Sequence, residues 1–245
     1  MILSVTLIFG AIVFLAFVVE AASGFGATLV TVSLASQLLP VPTVLATFIP
    51  VNVFLSLYLA VRHHDAIAWR ALLTRVLPFM GAGLVAGIAL FQLREQGFLR
   101  IAFAIFVIVL AAVSLARRHR APLVGGPAAG PALLLGAGVI HGLFACGGPL
   151  AVAAISRDVR DKTAFRSTLA VLWLVMNGVL VPSYVLAGSL DGSTLRGSLT
   201  LIPALVLGSL AGEWVDARIA PERFRIVENG LLLASGIALL VRSLA

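Results

Sequence analysis

Charge is what this sequence has least of. Only 11% of its 245 residues are Asp, Glu, Lys or Arg; Lys162 is the single lysine and Cys146 the single cysteine. A soluble surface is built from mixed charge, normally about a quarter of all residues, so an ordinary soluble domain of this length is excluded. One cysteine excludes an internal disulfide and leaves the redox compartment unspecified. The "RHHD" run at 62–65 offers adjacent histidines in a turn, with no further ligand cluster at metal-site spacing. No metal and no cofactor are expected. Nor does any stretch gather a nucleophile, an acid/base set or a metal at a membrane face, so an enzyme is not expected either.

What fills the chain instead is hydrophobicity. The composition is 61% hydrophobic with mean hydropathy +1.13, and apolar runs near the roughly 20 residues that cross a hydrocarbon core follow one another end to end. The expected class is an all-α polytopic membrane protein, with the lipid bilayer as its first partner. A net charge of +7 and a pI of 11.2 are basic enough for nucleic acid. The basic residues stand between the apolar runs rather than in a patch, however, which is the positive-inside pattern, and no nucleic-acid partner is expected. Residues 2–20 are long enough to span and lack a positive leading region, so a cleaved signal peptide is not expected. The preference for Arg over Lys suggests a GC-rich bacterial genome and hence a bacterial inner membrane.

The chain is written twice. "PFMGAGLVAG" (78–87) and "PALVLGSLAG" (203–212) share Pro-x4-Gly-x3-Gly at an offset of 125. The same offset pairs Asn52 with Asn177, Arg100-Ile101 with Arg225-Ile226, and Arg117 with Arg242. Each half then holds a first helix, a Gly-broken second segment and three long helices. The spans expected are 2–21, 25–39, 43–61, 71–92 and 98–116, then 130–144, 148–156, 164–187, 195–214 and 222–243. The repeats are 1–120 and 130–245, with a Gly/Pro-rich linker at 121–129 that follows the basic run at 117–120.

Basic residues arbitrate the topology. If the first two pieces of each half enter and return, one side collects Arg62, Arg70, Arg75, Arg117, Arg118, Arg120, Arg157, Arg160, Lys162, Arg166, Arg218, Arg223 and Arg225, thirteen of seventeen. If they form a single broken crossing, the division is eight to nine. Short loops obey the positive-inside rule. The expectation is therefore two inverted repeats, each with a re-entrant or half-helix segment, and both termini on the periplasmic side.

The two broken segments carry the chemistry. "VVEAASGFGATLV" (18–30) places Glu20 inside an apolar run just before Gly24 and Gly26. "HGLFACGGPL" (141–150) places His141 at an offset of 121 from Glu20, and Cys146-Gly147-Gly148-Pro149 answers Ser23-Gly24-Phe25-Gly26. Non-helical backbone at membrane depth persists only where protein buries it or a cavity exposes it. Inverted-repeat transporters aim such half-helix N-termini at anionic substrates, each worth about 0.3–2 kcal/mol toward an anion. Glycine lets the backbone approach closely, and Pro149 suits the first turn of a helix that starts at Gly148. The candidate anion-binding residues are Ser23, Gly24, Phe25, Gly26 and Thr28 in the first half and Cys146, Gly147, Gly148 and Pro149 in the second. Gly83, Gly87, Gly208 and Gly212 are read as helix packing instead.

"SGFGATLVTVSLASQLLPVPTVLATFIPVN" (23–52) and "GLFACGGPLAVAAIS…FRSTLAVLWLVMN" (142–177) resemble the TauE/SafE family of sulfite and organosulfonate exporters, and the resemblance spans essentially the whole chain. The family often has a richer glycine cluster in its first half, where this chain has Ala27 after Gly26. The resemblance implies transport of sulfite or another small sulfur-containing anion, with export as the direction.

Further residues follow from position. Glu20 and His141 are candidates for carrying a coupling proton, since intramembrane ionisable groups are functional hypotheses by default and His titrates near neutral pH. Asn52 and Asn177 sit mid-helix, where they bind substrate oxygens or tie helices together. Thr47 and Trp173 lie close by. Arg166 is a topology anchor or attracts an anion. The function expected is secondary transport of a small anion by alternating access. A membrane accessory or assembly protein stays open as the alternative, and a homodimer is compatible with the sequence.

Overall fold

The structure, a computed structural model, describes residues 2–23, 25–93, 95–116, 129–156, 158–159, 161–219 and 221–244. Among them the protein is all helical. In chain order the elements are α1 (Ile2–Ser23), α2 (Ala27–Ala35), α3 (Val41–Arg62), α4 (Trp69–Leu93), α5 (Gln96–Ala116), α6 (Ala129–Phe144), α7 (Gly148–Ile155), α8 (Lys162–Leu186), α9 (Gly192–Asp216) and α10 (Pro221–Leu244). Seven of these (α1, α3, α4, α5, α8, α9 and α10) are long and apolar enough to cross a membrane, and α6 is a shorter apolar helix. Leu7, Val85 and Leu186 are 66–86% exposed on such helices, a liability in water and the normal face toward lipid. The protein is an all-α polytopic membrane protein. Most of the linker, together with Arg94, Arg117, Arg118, Arg120, Arg157 and Arg160, lies outside the described residues.

The expected spans fall on the helices, and the departures have local causes. A π-helical turn over Leu72–Val76 interrupts α4. A turn at Leu201 divides α9 into Gly192–Thr200 and Ile202–Asp216, with Pro203 in the first turn of the second piece, where its missing N–H costs nothing. The second segment stops at Ala35, earlier than expected, in successive turns before Pro40. Proline cannot donate the hydrogen bond that would carry a helix through it.

The helices fall into two compact units, and each draws on both halves of the sequence. The first contains α1, α2, the start of α3, α5, the later part of α9, and α10. Here α1 packs against α9 and α5 against α10. Phe17 and Phe48 stack at 5.5 Å in its core. Gln37, just past α2, donates to the Ser235 carbonyl on α10 at 3.1 Å, and Arg242 donates to the Gln37 carbonyl.

The second unit contains the rest of α3, α4, α6, α7, α8 and the start of α9. Its main seam joins α4 to α6. Gly83 and Gly87 on α4 face Gly138 and Gly142 on α6 so closely that a Cβ on any of them would strike backbone of the other helix. In the first unit Gly208 and Gly212 do the same against α1, where a Cβ would come within 2.5 Å of the Phe14 and Val18 carbonyl oxygens. The Pro-x4-Gly-x3-Gly motif is thus a backbone-contact seam in both places, as small residues at membrane-helix interfaces generally are.

Candidate functional site

The breaks are alike. In each the next helix starts soon after the last ends, α2 at Ala27 after Ser23 and α7 at Gly148 after Phe144, again at an offset of 121. Helix ends therefore match Gly24-Phe25-Gly26 with Ala145-Cys146-Gly147, two positions from the motif correspondence read in sequence. The second break turns the chain back. A Cβ on Gly147 would collide with the Ala137 carbonyl and lie 3.0 Å from the His141 Cβ. Ala137 stands seven residues before the end of α6, about 10 Å back along it, so α7 returns beside α6 rather than continuing its line. Leu150 reaches Gly136 in the same way. Only glycine fits at 147 because two main chains touch there.

The turn at each break needs left-handed backbone. In the first, Gly26 takes it at φ 107°, which glycine adopts freely. In the second, Ala145 takes it at φ 53°, a conformation that costs a residue with a Cβ about 1–2 kcal/mol. Gly147 precedes α7, and Pro149 sits in its first turn.

Around the second break the structure gathers four residues singled out in sequence: three form one hydrogen-bonded chain and the fourth, Trp173, stacks on its end. His141 is 2% exposed. Its Nε2 lies 3.1 Å from Asn177 Oδ1. The Asn177 amide donates from Nδ2 to Asn52 Oδ1 at 3.0 Å. Ser56, which sequence reasoning passed over, donates its hydroxyl to the same Oδ1 at 3.4 Å. Trp173 stacks on the His141 ring, with centroids 5.4 Å apart and planes 14° from parallel. Trp173 and Asn177 are four apart on α8 and so share a face, as Asn52 and Ser56 do on α3. The two repeat-related asparagines thus bond each other directly. His141 Nδ1 is buried and has no hydrogen-bond partner among the described residues. Cys146, 3% exposed, is in the break itself.

The first break has a different electrostatic character. Glu20 Oε2 accepts from the Ala27 N–H at 3.2 Å and so caps the start of α2. A second carboxylate approaches, since Glu228 Oε1 lies 3.1 Å from where a Gly26 Cβ would stand. Glu228, on α10, is only 7% exposed. It had no assigned role in the sequence reading, although an ionisable residue within an apolar helix was the available signal. Thr28 is buried in the first turn of α2, and Thr31, a turn further on, is fully buried with its hydroxyl unpartnered among the described residues. Gly24 and the Ser23 side chain lie outside the described residues. Thr47 bonds back to the Thr43 carbonyl at 2.8 Å, and its own carbonyl accepts from Ser198 at 2.7 Å.

Away from the breaks, a surface cavity of about 490 Å³ is lined in part by Arg70, Thr74, Arg75 and Asp158. Arg75, within the π-helical turn, pairs with Asp158 at 2.6 Å. Among the described residues no group of three or more His, Cys, Asp or Glu could hold a metal ion.

Comparison with known proteins gives a consistent picture. The family whose sequence profile matches residues 9–239 is described as Sulfite exporter TauE/SafE. A curated protein of Comamonas testosteroni, the probable inner membrane transporter protein TsaS, is 29% identical over 103 residues, 42% of this chain and 43% of that protein. The match therefore spans less than half the length of that relative. No solved structure matches the chain.

Proposed function

The chain belongs to the TauE/SafE family of sulfite exporters, and from that premise we propose that it is a secondary transporter of a small sulfur-containing anion in a bacterial inner membrane. The observation that carries the reading is the second break. There a helix start leaves its first N–H groups without intrahelical partners, glycine brings main chain close, and a buried histidine stands beside it. This is the equipment of an anion site, contributed by Cys146, Gly147, Gly148 and Pro149.

The first break suits a proton. Its helix start is already faced by Glu20 and Glu228, and ionisable groups within membrane helices are functional candidates by default. Glu20 at the first break and the buried His141 at the second are the coupling residues of the proposal. Alternating access of the two inverted repeats moves the anion, with both termini periplasmic and export the direction implied by the family. The relative from Comamonas testosteroni, described as a probable inner membrane transporter, supports the location and the class.

The test is tracer sulfite flux in proteoliposomes. Gly147→Leu, which drives a side chain into the Ala137 carbonyl, abolishes flux. Gly81→Leu, where no atom lies within 4 Å of an added Cβ, retains it. Equal flux from the two variants would remove the second break from the transport path. Loss of a partner protein with flux unchanged would favour the accessory-protein reading.

A further inference from the structure

The surface cavity at the start of α4 has no part in either break, and its walls are charged. Arg70 and Arg75 supply two guanidinium groups, and Asp158, in the turn after α7, supplies one carboxylate. That carboxylate accepts from Arg75 Nη1 at 2.6 Å. One positive charge is left over, and it is on Arg70, which makes no ion pair among the described residues.

Local backbone geometry brings the two arginines to one place. On a regular α-helix, residues five apart diverge by about 140° around the axis. Between Arg70 and Arg75 the chain enters the π-helical turn at Leu72–Val76. Its i→i+5 bonding takes in an extra residue and narrows that angle, and both side chains line the same cavity. Such turns are rare and recur at functional sites. Arg75 is also fixed in position. Asp158 holds its Nη1, and its Nη2 lies over Gly130 at the start of α6, where any Cβ would strike it.

The cavity stands at the edge of the bilayer. Trp69 is the first residue of an apolar span that runs to Leu93, and Trp favours the membrane interface. Trp69 and Leu73, one turn apart, are 48% and 56% exposed, which sets a surface for acyl chains beside the arginines. The volume of about 490 Å³ is within the range of pockets that hold small ligands, about 300–1,000 Å³. A soluble anion would use the guanidinium groups alone, whereas a phospholipid uses them and the apolar strip together. We propose that this cavity binds the phosphodiester headgroup of an anionic phospholipid. Its phosphate oxygens accept from Arg70 and from the Arg75 N–H groups that Asp158 leaves free, and its acyl chains lie along Trp69 and Leu73. Basic pockets between membrane helices hold anionic headgroups in this way. The site is independent of which anion the protein transports.

Native mass spectrometry of the full chain, released from detergent after titration with phosphatidylglycerol or phosphatidylcholine, tests this without requiring turnover. Wild type binds its first phosphatidylglycerol about fivefold more tightly than phosphatidylcholine, the worth of one arginine toward an anionic lipid surface. Arg70→Gln removes that preference. Arg62→Gln, at an exposed arginine outside the cavity that donates to Tyr58, keeps it. The Thr74 hydroxyl only bonds back to the Arg70 carbonyl, so Thr74→Leu narrows the cavity without altering a charge and reads the same loss if Arg70→Gln does not fold. Equal binding of the two lipids by wild type overturns the proposal, as does a preference that these cavity variants retain. Inorganic phosphate that displaces phosphatidylglycerol at equal concentration overturns the lipid assignment and makes the site one for a soluble anion.

Discussion

Replacing Gly83 with alanine puts one carbon where α4 and α6 touch. An added Cβ would collide with the Leu135 carbonyl oxygen and lie 2.9 Å from the Val139 nitrogen and 3.0 Å from the Gly138 Cα. All three are backbone atoms, so no side chain can turn aside and the helices must part by about 1 Å. Such a gap forfeits up to about half of each dispersion contact, and roughly twenty atom pairs at about 0.1–0.2 kcal/mol each give a loss of about 1–2 kcal/mol. Overpacking of a close-packed interior falls in the same range, about 1–3 kcal/mol. Gly81, on the same helix, provides the control. A Cβ there meets nothing within 4 Å, and alanine gains about 0.5–1 kcal/mol of helix propensity. Unfolding by sodium dodecyl sulfate in mixed micelles reads the difference. The propensity gain is common to both variants, so Gly81→Ala unfolds later than Gly83→Ala by the steric cost alone, about 1–3 kcal/mol. A Gly83→Ala protein as stable as Gly81→Ala would refute the backbone-contact account of the repeated glycine motif.

Other variants probe the second break and the loops. Ala145 holds φ 53°, so Ala145→Gly folds with equal or greater thermal stability, whereas the β-branched Ala145→Val loses about 1–2 kcal/mol; thermal denaturation in detergent distinguishes them. Asp191, exposed ahead of α9, accepts from the Thr194 N–H and from the Ser193 and Thr194 hydroxyls through Oδ1. These bonds, the Thr194 backbone one foremost, hold its carboxyl well below the usual carboxylate range. A depressed folded pKa contributes stability above the unfolded value of about 3.9, and that stability is lost as pH falls through the folded value. Asp191→Ala therefore lowers the melting temperature at pH 7, by an amount that shrinks as the pH is taken below 4. An equal deficit at every pH would contradict the charged cap.

Much of this architecture is legible before any coordinates. Helix boundaries follow from apolar runs punctuated by Gly and Pro, and the expected start at Gly148 with Pro149 in the first turn is where α7 begins. The packing role of Gly83, Gly87, Gly208 and Gly212 is legible from spacing alone. What a repeat cannot express is which copies pack together. Matching α1 with α6 says that they are alike, and nothing in that likeness says that α1 packs on α9 and α6 on α4. The same limit applies at the site. His141, Trp173, Asn52 and Asn177 can each be picked out by position, but the bond from 141 to 177 and on to 52 is a tertiary fact. It changes the asparagines from two independent ligand candidates into a coupled pair. The approach of Glu228 to Gly26 is likewise tertiary, since the two stand about two hundred residues apart in sequence.

The central claim is that this protein carries a sulfur-containing anion with a proton. Initial sulfite uptake by proteoliposomes of the purified chain, with and without an imposed pH gradient, tests it most directly. The account predicts uptake that rises with the gradient and a loss of that dependence in Glu20→Gln. Uptake that ignores the gradient in wild type and Glu20→Gln alike would contradict proton coupling, and the absence of any sulfite uptake would contradict the carrier itself.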